Sequence, residues 1–474
     1  MRLNVLKLID YDGLPAPLVT HEGAPAVVLT PEQALRRSVL SCLLWEGEFY
    51  EDGAEIAQRI CGLVPQVAAD RVAALAVEAR ERMKLRHVPL LLVREMARYA
   101  SHRGLVAETL ARVIQRADEL AEFVAIYWAD RVSGKKQPLS AQVKKGLAAA
   151  FVKFDEYALA KYDRAGSVRL RDVLFLSHAK PVDTTQEELW KRLVANELAT
   201  PDTWEVALSA AGKADANWEI VSKTAVWERL LRDRRLGAMA LLRNLRNLAT
   251  AGVGEELVFE ALAAMKTERV LPFRFLAAAR HAPQWEEAIE VAMLRALNGA
   301  ECSREPHRLP VHTVLLVDVS GSMNYELSRK SEMKRTDAAY GLAILLREIA
   351  EKVTIFTFSE KAVRVATRRG MALRDALDQS QAHGGTNLGA SLQQVEAERS
   401  GTRYDRLVVI TDEQSADRVE RQVADSLGRG YVINVASAKN GVGYGDMAGS
   451  WTHIDGFSEA VVDYIAELER AAAN

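Results

Sequence analysis

The amino-acid sequence predicts a multidomain protein in which a long array of α-helices precedes an α/β domain with a doubly wound parallel sheet. Two patterns support this prediction. Between residues 30 and 298, apolar side chains recur every three or four positions, which is typical of amphipathic helices. After residue 311, short apolar segments alternate with amphipathic ones, which is typical of parallel strands linked by helices.

The composition is that of an ordinary globular protein. The 474 residues are 49% apolar and 27% charged, which is enough for two or three domains. Because the formal net charge is −2, a polyanion must be met by a local basic surface. The three cysteines are too scattered for a disulfide framework, and no segment approaches the ~20 apolar residues of a membrane span. We therefore expect a cytoplasmic protein with no membrane partner.

Changes of pattern along the chain divide it into three regions. Residues 1–298 are predicted to be helical after a lead-in that resembles a small strand hairpin, and the first helix begins at Thr30-Pro31-Glu32. Roughly fifteen consecutive helices exceed one compact bundle, so stacked pairs in a solenoid are expected. Residues 299–310, which contain two prolines, are a predicted linker, and residues 311–474 form the predicted α/β domain.

Oxygen-bearing side chains collect at the predicted strand ends of the α/β domain. Asp318 ends the strand in HTVLLVDVS, and Asp412 ends the strand in RLVVITD. Ligands bind beyond the carboxyl ends of such strands. Ser320, Ser322 and Thr386 lie in neighbouring loops, and hydroxyls with carboxylates select a hard divalent cation, above all Mg²⁺. The alternative is that DVSGSM is only a tight turn.

These five residues, in this order, resemble the metal-ion-dependent adhesion site of von Willebrand factor A domains. The resemblance leaves two roles open for the metal. Either an acidic side chain of a partner completes its coordination, or the metal holds the loops together. Nucleotide binding and catalysis have less support, because the sequence contains no GxxxxGK[ST], GxGxxG after a strand, HExxH or GxSxG motif. We therefore expect a protein that is not an enzyme.

A basic segment interrupts the helical region. From Arg131 to Lys180 there are eleven Lys or Arg residues and four acidic ones. Cations neutralise phosphates, and aromatic faces accept unstacked bases. The interleaved aromatic residues Phe151, Phe154 and Tyr157 have the spacing of core residues as well, and the basic residues could form a merely solvated face.

Several long motifs of the helical region resemble the TROVE domain of the Ro ribonucleoprotein family. They run in the family's order: PLSAQVKKGLAAAFVKFDEYALAKYDRAGSVRLRDVLFLSHAKP, DTWEVALS, KTAVWERLL, ALLRNLRNLATAGV and VLPFRFLAAAR. With the adhesion-type domain behind them, the resemblance covers nearly the whole chain and favours a bacterial member. It implies a monomeric, HEAT-like helical ring closed by the metal-binding domain. It also implies that the outer surface of the ring binds small noncoding Y RNA and that the central cavity of the ring binds the ends of misfolded or precursor RNA.

The resemblance assigns roles to particular residues. Lys161 and His178 match family positions associated with Y RNA binding. A family arginine falls on Ala165, so Arg164, one place earlier, is a candidate by proximity alone. His178 could instead order a backbone amide. The basic pattern adds five further candidates, namely Lys144, Lys145, Arg169, Arg171 and Lys180.

The resulting hypothesis is an RNA-binding ring protein that acts in RNA quality control or processing. The resemblance further implies an exoribonuclease partner such as polynucleotide phosphorylase, tethered through a Y-type RNA. The alternative is a metal-dependent protein-interaction scaffold, in which the helices and the Asp318 site hold protein ligands.

Overall fold

The structure, a computed structural model, describes most of the chain. The described residues are 30–40, 53–83, 85–129, 137–210, 222–267, 270, 272–298, 309–327, 333–399, 404–420, 427–436, 451–455, 461, 462, 465, 466 and 469. By their packing they fall into two units. The N-terminal unit comprises the described residues of 30–44 and 57–210, and the C-terminal unit comprises those from 211 onwards with a short piece that ends at Ile56. The predicted lead-in hairpin lies outside the described residues.

The N-terminal unit is helical throughout its described residues, as the apolar periodicity predicts. Its helices are α1 (Pro31–Leu40), α2 (Gly53–Leu63), α3 (Ala69–Glu81), α4 (His87–Arg98), α5 (Val106–Val113), α6 (Asp118–Tyr127), α7 (Ala141–Phe151), α8 (Glu156–Tyr162), α9 (Leu170–Ser177), α10 (Thr184–Ala195) and α11 (Trp204–Ala210).

The predicted start of the first helix is confirmed. The Gln33 amide donates to Thr30 Oγ1 at 3.3 Å, and the Gln33 side chain accepts from the Thr30 amide at 3.0 Å. This reciprocal pair satisfies amides that have no partner within the helix.

Close helix packing in the N-terminal unit depends on one glycine. A Cβ on Gly146 of α7 would lie 2.9 Å from the Ala107 carbonyl oxygen and from Leu110 Cβ of α5. Any side chain at this position would push α7 away from α5. In the same unit, the buried Arg80 of α3 donates to Glu119 of α6 at 2.6 Å. This charge-assisted hydrogen bond joins α3 to α6.

The C-terminal unit begins with five more helices and continues into the sheet. The helices are α12 (Lys223–Arg232), α13 (Ala238–Thr250), α14 (Glu255–Ala264), α15 (Pro272–His281) and α16 (Glu286–Asn298). They belong to the same packing unit as the α/β part. The linker predicted at 299–310 stays a prediction, because residues 299–308 lie outside the described part of the chain.

The α/β part is a six-stranded sheet with the order β3-β2-β1-β4-β5-β6. All neighbours are parallel except β3, which pairs antiparallel with β2 at the sheet edge. The elements are β1 (Leu309–Asp318), α17 (Arg335–Ile349), β2 (Ala350–Phe358), β3 (Ala362–Val365), α18 (Gly370–Asp378), α19 (Leu388–Glu398), β4 (Arg406–Thr411), β5 (Arg429–Asn434) and β6 (Trp451–Asp455).

The predicted fold class, helical repeats followed by an α/β domain, is confirmed. The sequence patterns for β1, β2, β4 and β5 each predict an observed strand, whereas β3, β6 and α18 were not predicted. The short β3 lies at the edge of the sheet. Its sequence, AVRV, gives no clear strand pattern because Arg364 interrupts the apolar residues. The helix predicted across 419–430 lies largely outside the described residues.

The sheet is covered by helices, and its core is apolar, with both aliphatic and aromatic side chains. The cluster around α19 contains Leu316 of β1, Phe356 of β2 and Val409 of β4. The α17 helix packs against β1 and β4 and is buried along nearly its whole length. None of the helices in the described residues is both long and apolar enough to span a membrane.

Glu469 stabilises the start of β4. The fully buried Arg406 donates through Nε to Glu469 at 2.6 Å, and Tyr431 donates its hydroxyl to the same carboxylate at 3.1 Å. Burial opposes ionisation of Glu469, but Arg406 outweighs it and lowers the pKa of this carboxyl. Since the pKa in the folded state is depressed, the stabilisation is present above the unfolded value and is lost as pH falls through the folded value.

We expect Glu469→Gln to lower the free energy of unfolding by about 1.5–3 kcal/mol at pH 7, the contribution of a hydrogen bond to a charged group. Urea denaturation measures this change. The difference from the natural sequence should shrink in acid, below the ordinary glutamate pKa of about 4.3. Glu398→Gln, at an exposed position of α19, is the matched control and should change little. An equal effect of both substitutions would contradict this role of Glu469.

Candidate metal centre and nucleic-acid interface

Asp318 is held at the carboxyl end of the central strand by two hydrogen bonds. Its Oδ1 accepts from the Ser320 amide at 2.8 Å, and its Oδ2 accepts from Thr411 Oγ1 at 2.6 Å. The side chain is fully buried. The first contact comes from the turn that follows β1 and the second from the last residue of the neighbouring strand β4, so local chain geometry and sheet topology together orient this carboxylate.

The two predicted serine ligands converge in the turn that follows Asp318. Ser320 Oγ and Ser322 Oγ are 3.2 Å apart. The Gly321 amide donates to the Gly384 carbonyl at 2.8 Å, and a Cβ at Gly321 would lie 3.4 Å from that oxygen. A small residue therefore allows the turn to pack against the loop that carries Thr386.

Thr386 and Asp412 lie on the other two loops of the centre. Thr386 is buried, and its carbonyl accepts from the Ala416 amide at 2.8 Å, which joins its loop to the one that follows β4. Asp412, also fully buried, accepts from Arg335 Nη1 at 3.1 Å. Burial raises the pKa of Asp318, and the negative charge of Asp412 raises it further, so the two carboxylates are close enough to repel.

The five predicted ligand residues carry the type of oxygen atom that a hard cation prefers. Two carboxylates and three hydroxyl residues lie on loops that are hydrogen-bonded to one another, and hydroxyl and carboxylate oxygens suit Mg²⁺. Among the described residues no group of three or more His, Cys, Asp or Glu could hold a metal. That result is consistent with a set built mainly from hydroxyls. Arg335 already supplies one positive charge to Asp412.

The predicted RNA-binding residues lie on α7, α8, α9 and their connections. Lys144 of α7 and His178 at the end of α9 come together, with Lys144 Nζ 3.4 Å from His178 Nε2. His178 has a left-handed backbone, with φ of 54°, because it terminates α9. The left-handed backbone and the contact with Lys144 together fix the position of the exposed His178 ring.

Lys161 lies over two aromatic rings on α8. Its Nζ is 5.5 Å from the Tyr157 ring centroid and 5.7 Å from that of Tyr162. Tyr157 is exposed, unlike a core residue. Three further candidates are exposed to solvent, namely Lys145, Arg164 and Lys180, and Arg171 is half-buried.

Other members of the basic segment are occupied within the fold. Arg169 forms a salt bridge with Asp163 at 2.7 Å, which makes it a structural residue as well as a candidate. Lys153 donates to the Ala111 carbonyl at 2.6 Å. Phe151 and Phe154 are buried, as the core alternative predicts. Arg131, Lys135 and Lys136 lie outside the described residues.

A second basic site, in the C-terminal unit, was missed by the sequence analysis. A cavity of about 850 Å³ lies between α13 and α15 and is lined by Arg243, Arg246, Arg274, Arg280 and His281. None of its described lining residues is acidic. We call it the basic cavity.

The basic cavity concentrates positive charge. Burial lowers the pKa of Arg274, and the charge of Arg243 lowers it further, so these two guanidinium groups are close together. Arg243 and Arg246 are exposed and three residues apart on α13, which places them on one face. The segment ALLRNLRNLATAGV contains this signal, but above it supports only the resemblance to the TROVE domain.

Two protein families match consecutive parts of the chain. Residues 191–305 match the TROVE domain, and residues 313–414 match the von Willebrand factor type A domain. Mouse telomerase protein component 1 is 40% identical over 86 residues, which cover 17% of this chain and 3% of that protein. The rat protein is 39% identical over a segment of the same length. The chain thus spans only 3% of the length of these curated relatives.

A solved structure shares the fold across both units. The crystal structure of the Deinococcus radiodurans Ro (RSR) protein aligns with a TM-score of 0.64 and 18% identity, over 93% of this chain and 100% of that one. At this identity the likeness establishes the fold alone. The chain therefore contains a segment similar to the TROVE domain followed by a segment similar to the von Willebrand factor type A domain, and it shares the fold of the Deinococcus radiodurans Ro (RSR) protein.

Proposed function

We propose that the protein binds RNA as a non-enzymatic ribonucleoprotein component. Two observations carry this proposal: the contact between Lys144 of α7 and His178 at the end of α9, and the position of Lys161 over the rings of Tyr157 and Tyr162 on α8. The lysine ammonium groups there can neutralise phosphates, and the exposed Tyr157 can stack on an unpaired base. Because the net charge of the chain is near zero, RNA must be bound by such local groups.

Two finer assignments follow from the two basic sites. The α7 to α9 surface would take a structured small RNA of the Y type, whose backbone needs scattered cations. The basic cavity would bind a single-stranded RNA end, because a site lined by several arginines can neutralise the phosphates of an extended chain. An exoribonuclease such as polynucleotide phosphorylase would then be a partner through the bound RNA, and treatment with ribonuclease should release it.

We expect Lys161→Glu to weaken binding of a small structured RNA, because it replaces a phosphate-neutralising cation with an anion. The slope of the logarithm of the affinity against the logarithm of salt concentration should fall by about one to two. Filter binding at several salt concentrations measures both effects. Lys191→Glu is the matched control, because Lys191 is exposed on α10 and already paired with Glu188 at 2.8 Å. Affinity that does not depend on salt in the natural protein would favour the protein-interaction scaffold.

We expect the double substitution Arg243→Glu and Arg246→Glu to weaken binding of an unstructured oligonucleotide more than binding of a structured RNA. Fluorescence anisotropy with a labelled oligouridylate measures the first affinity. Lys352→Glu, at an exposed position of the same unit, is the control. Equal affinity of the double variant and the control would remove the basic cavity from the RNA-binding sites.

We also propose that Asp318, Ser320, Ser322, Thr386 and Asp412 hold one Mg²⁺ ion, which would bridge the three loops. Asp318→Ala should abolish Mg²⁺ binding, because it removes a primary carboxylate ligand. Isothermal titration of the metal-free chain with MgCl₂ measures this loss. Asp405→Ala, a carboxylate near the opposite ends of the strands, should bind as the natural sequence does. If Asp318→Ala still binds Mg²⁺ with unchanged affinity, the assignment is wrong.

A further inference from the structure

The first residue of α17 places a guanidinium inside the candidate metal centre. Arg335 is 1% exposed. Its Nη1 donates to Asp412 Oδ2 at 3.1 Å and lies 3.4 Å from the Ser322 carbonyl oxygen. Its backbone amide donates to the Tyr325 carbonyl at 3.0 Å, so the main chain is fixed while the long side chain reaches into the centre.

The two buried carboxylates of this centre explain why the positively charged Arg335 side chain lies there. Asp318 and Asp412 are both fully buried, and two close carboxylates repel each other strongly in a region of low dielectric constant. Arg335 offsets one of the two negative charges. A bound divalent cation would offset both, and Arg335 would then be a surplus positive charge in a buried site.

We propose that Arg335 is a resident cation that competes with the divalent metal for Asp412 and so sets the metal affinity of the centre. This inference rests on the proposed Mg²⁺ site. In the state seen here Asp412 Oδ2 accepts from the guanidinium, so a metal must share this carboxylate with Arg335 or displace it. Displacement needs only side-chain rotation, because the Cα position is held by the α17 start.

The competition acts through charge and through one hydrogen bond. Arg335 Nη1 donates to Asp412 Oδ2 at 3.1 Å, whereas the Gln414 amide donates to Asp412 Oδ1 at 3.4 Å. Arg335 therefore weakens metal binding through its positive charge and through the carboxylate oxygen to which it donates.

The test compares Mg²⁺ binding by the full chain with that of Arg335→Gln, measured by isothermal titration with MgCl₂. We expect at least tenfold tighter binding in Arg335→Gln, because the competing charge is removed and the amide can still donate to Asp412. Arg347→Gln, about three turns further along α17, is the matched control and should bind as the natural sequence does. Unchanged or weaker binding in Arg335→Gln would overturn the proposal.

A second variant guards against misfolding. Arg335→Lys keeps the positive charge, so we expect its Mg²⁺ affinity to stay closer to that of the natural sequence than to that of Arg335→Gln. Circular dichroism checks the fold of each variant. Affinity in a folded Arg335→Lys as tight as in Arg335→Gln would also overturn the proposal, because the competing charge would then have no effect. If neither the natural chain nor a folded Arg335→Gln binds Mg²⁺, the metal assignment fails and this inference fails with it, whereas RNA binding is unaffected.

Discussion

The repulsion between two buried carboxylates is the constraint on which the α/β domain depends. Asp318 ends β1, and Asp412 directly follows Thr411, the last residue of the neighbouring parallel strand β4, so the register of β1 with β4 brings the two carboxylates to the same sheet edge. Their burial raises the free energy of the charged state unless hydrogen bonds and a cation compensate. Thr411, the Ser320 amide and Arg335 provide that compensation within the chain. The loops around the centre are therefore ordered by the need to satisfy these two groups.

The same compensation extends into the helices. Arg335 begins α17. Asp337, two residues later, accepts from the Lys334 amide at 2.7 Å and forms a salt bridge with Arg280 of α15. The start of α17 is thus tied both to the metal centre and to a helix that lines the basic cavity. If Arg335 changed its position, the contacts of Lys334 and Asp337 at the start of α17 would be altered first, because these residues are close to Arg335 in the main chain.

The sequence predicted the parts of the fold and site that depend on local pattern. Strands that end in Asp318 and Asp412 were predictable because buried parallel strands are continuous apolar runs. Arg335 was not predictable as a site residue, because KRTD reads as an ordinary solvated helix start and only the tertiary fold turns its side chain inwards. The basic cavity was missed for a related reason: Arg243 and Arg274 lie 31 positions apart in the sequence and meet only when α13 packs against α15.

Counting basic residues overestimates the charge that remains for RNA, because the fold uses some of it. Lys153 is bonded to a main-chain carbonyl and Arg169 to Asp163, so neither is fully available to phosphate. Lys144 and His178 differ, since their contact at 3.4 Å joins the ammonium group to an imidazole and not to a carboxylate. This contact does not offset the positive charge of Lys144. That charge therefore stays available for the phosphates of the RNA proposed above.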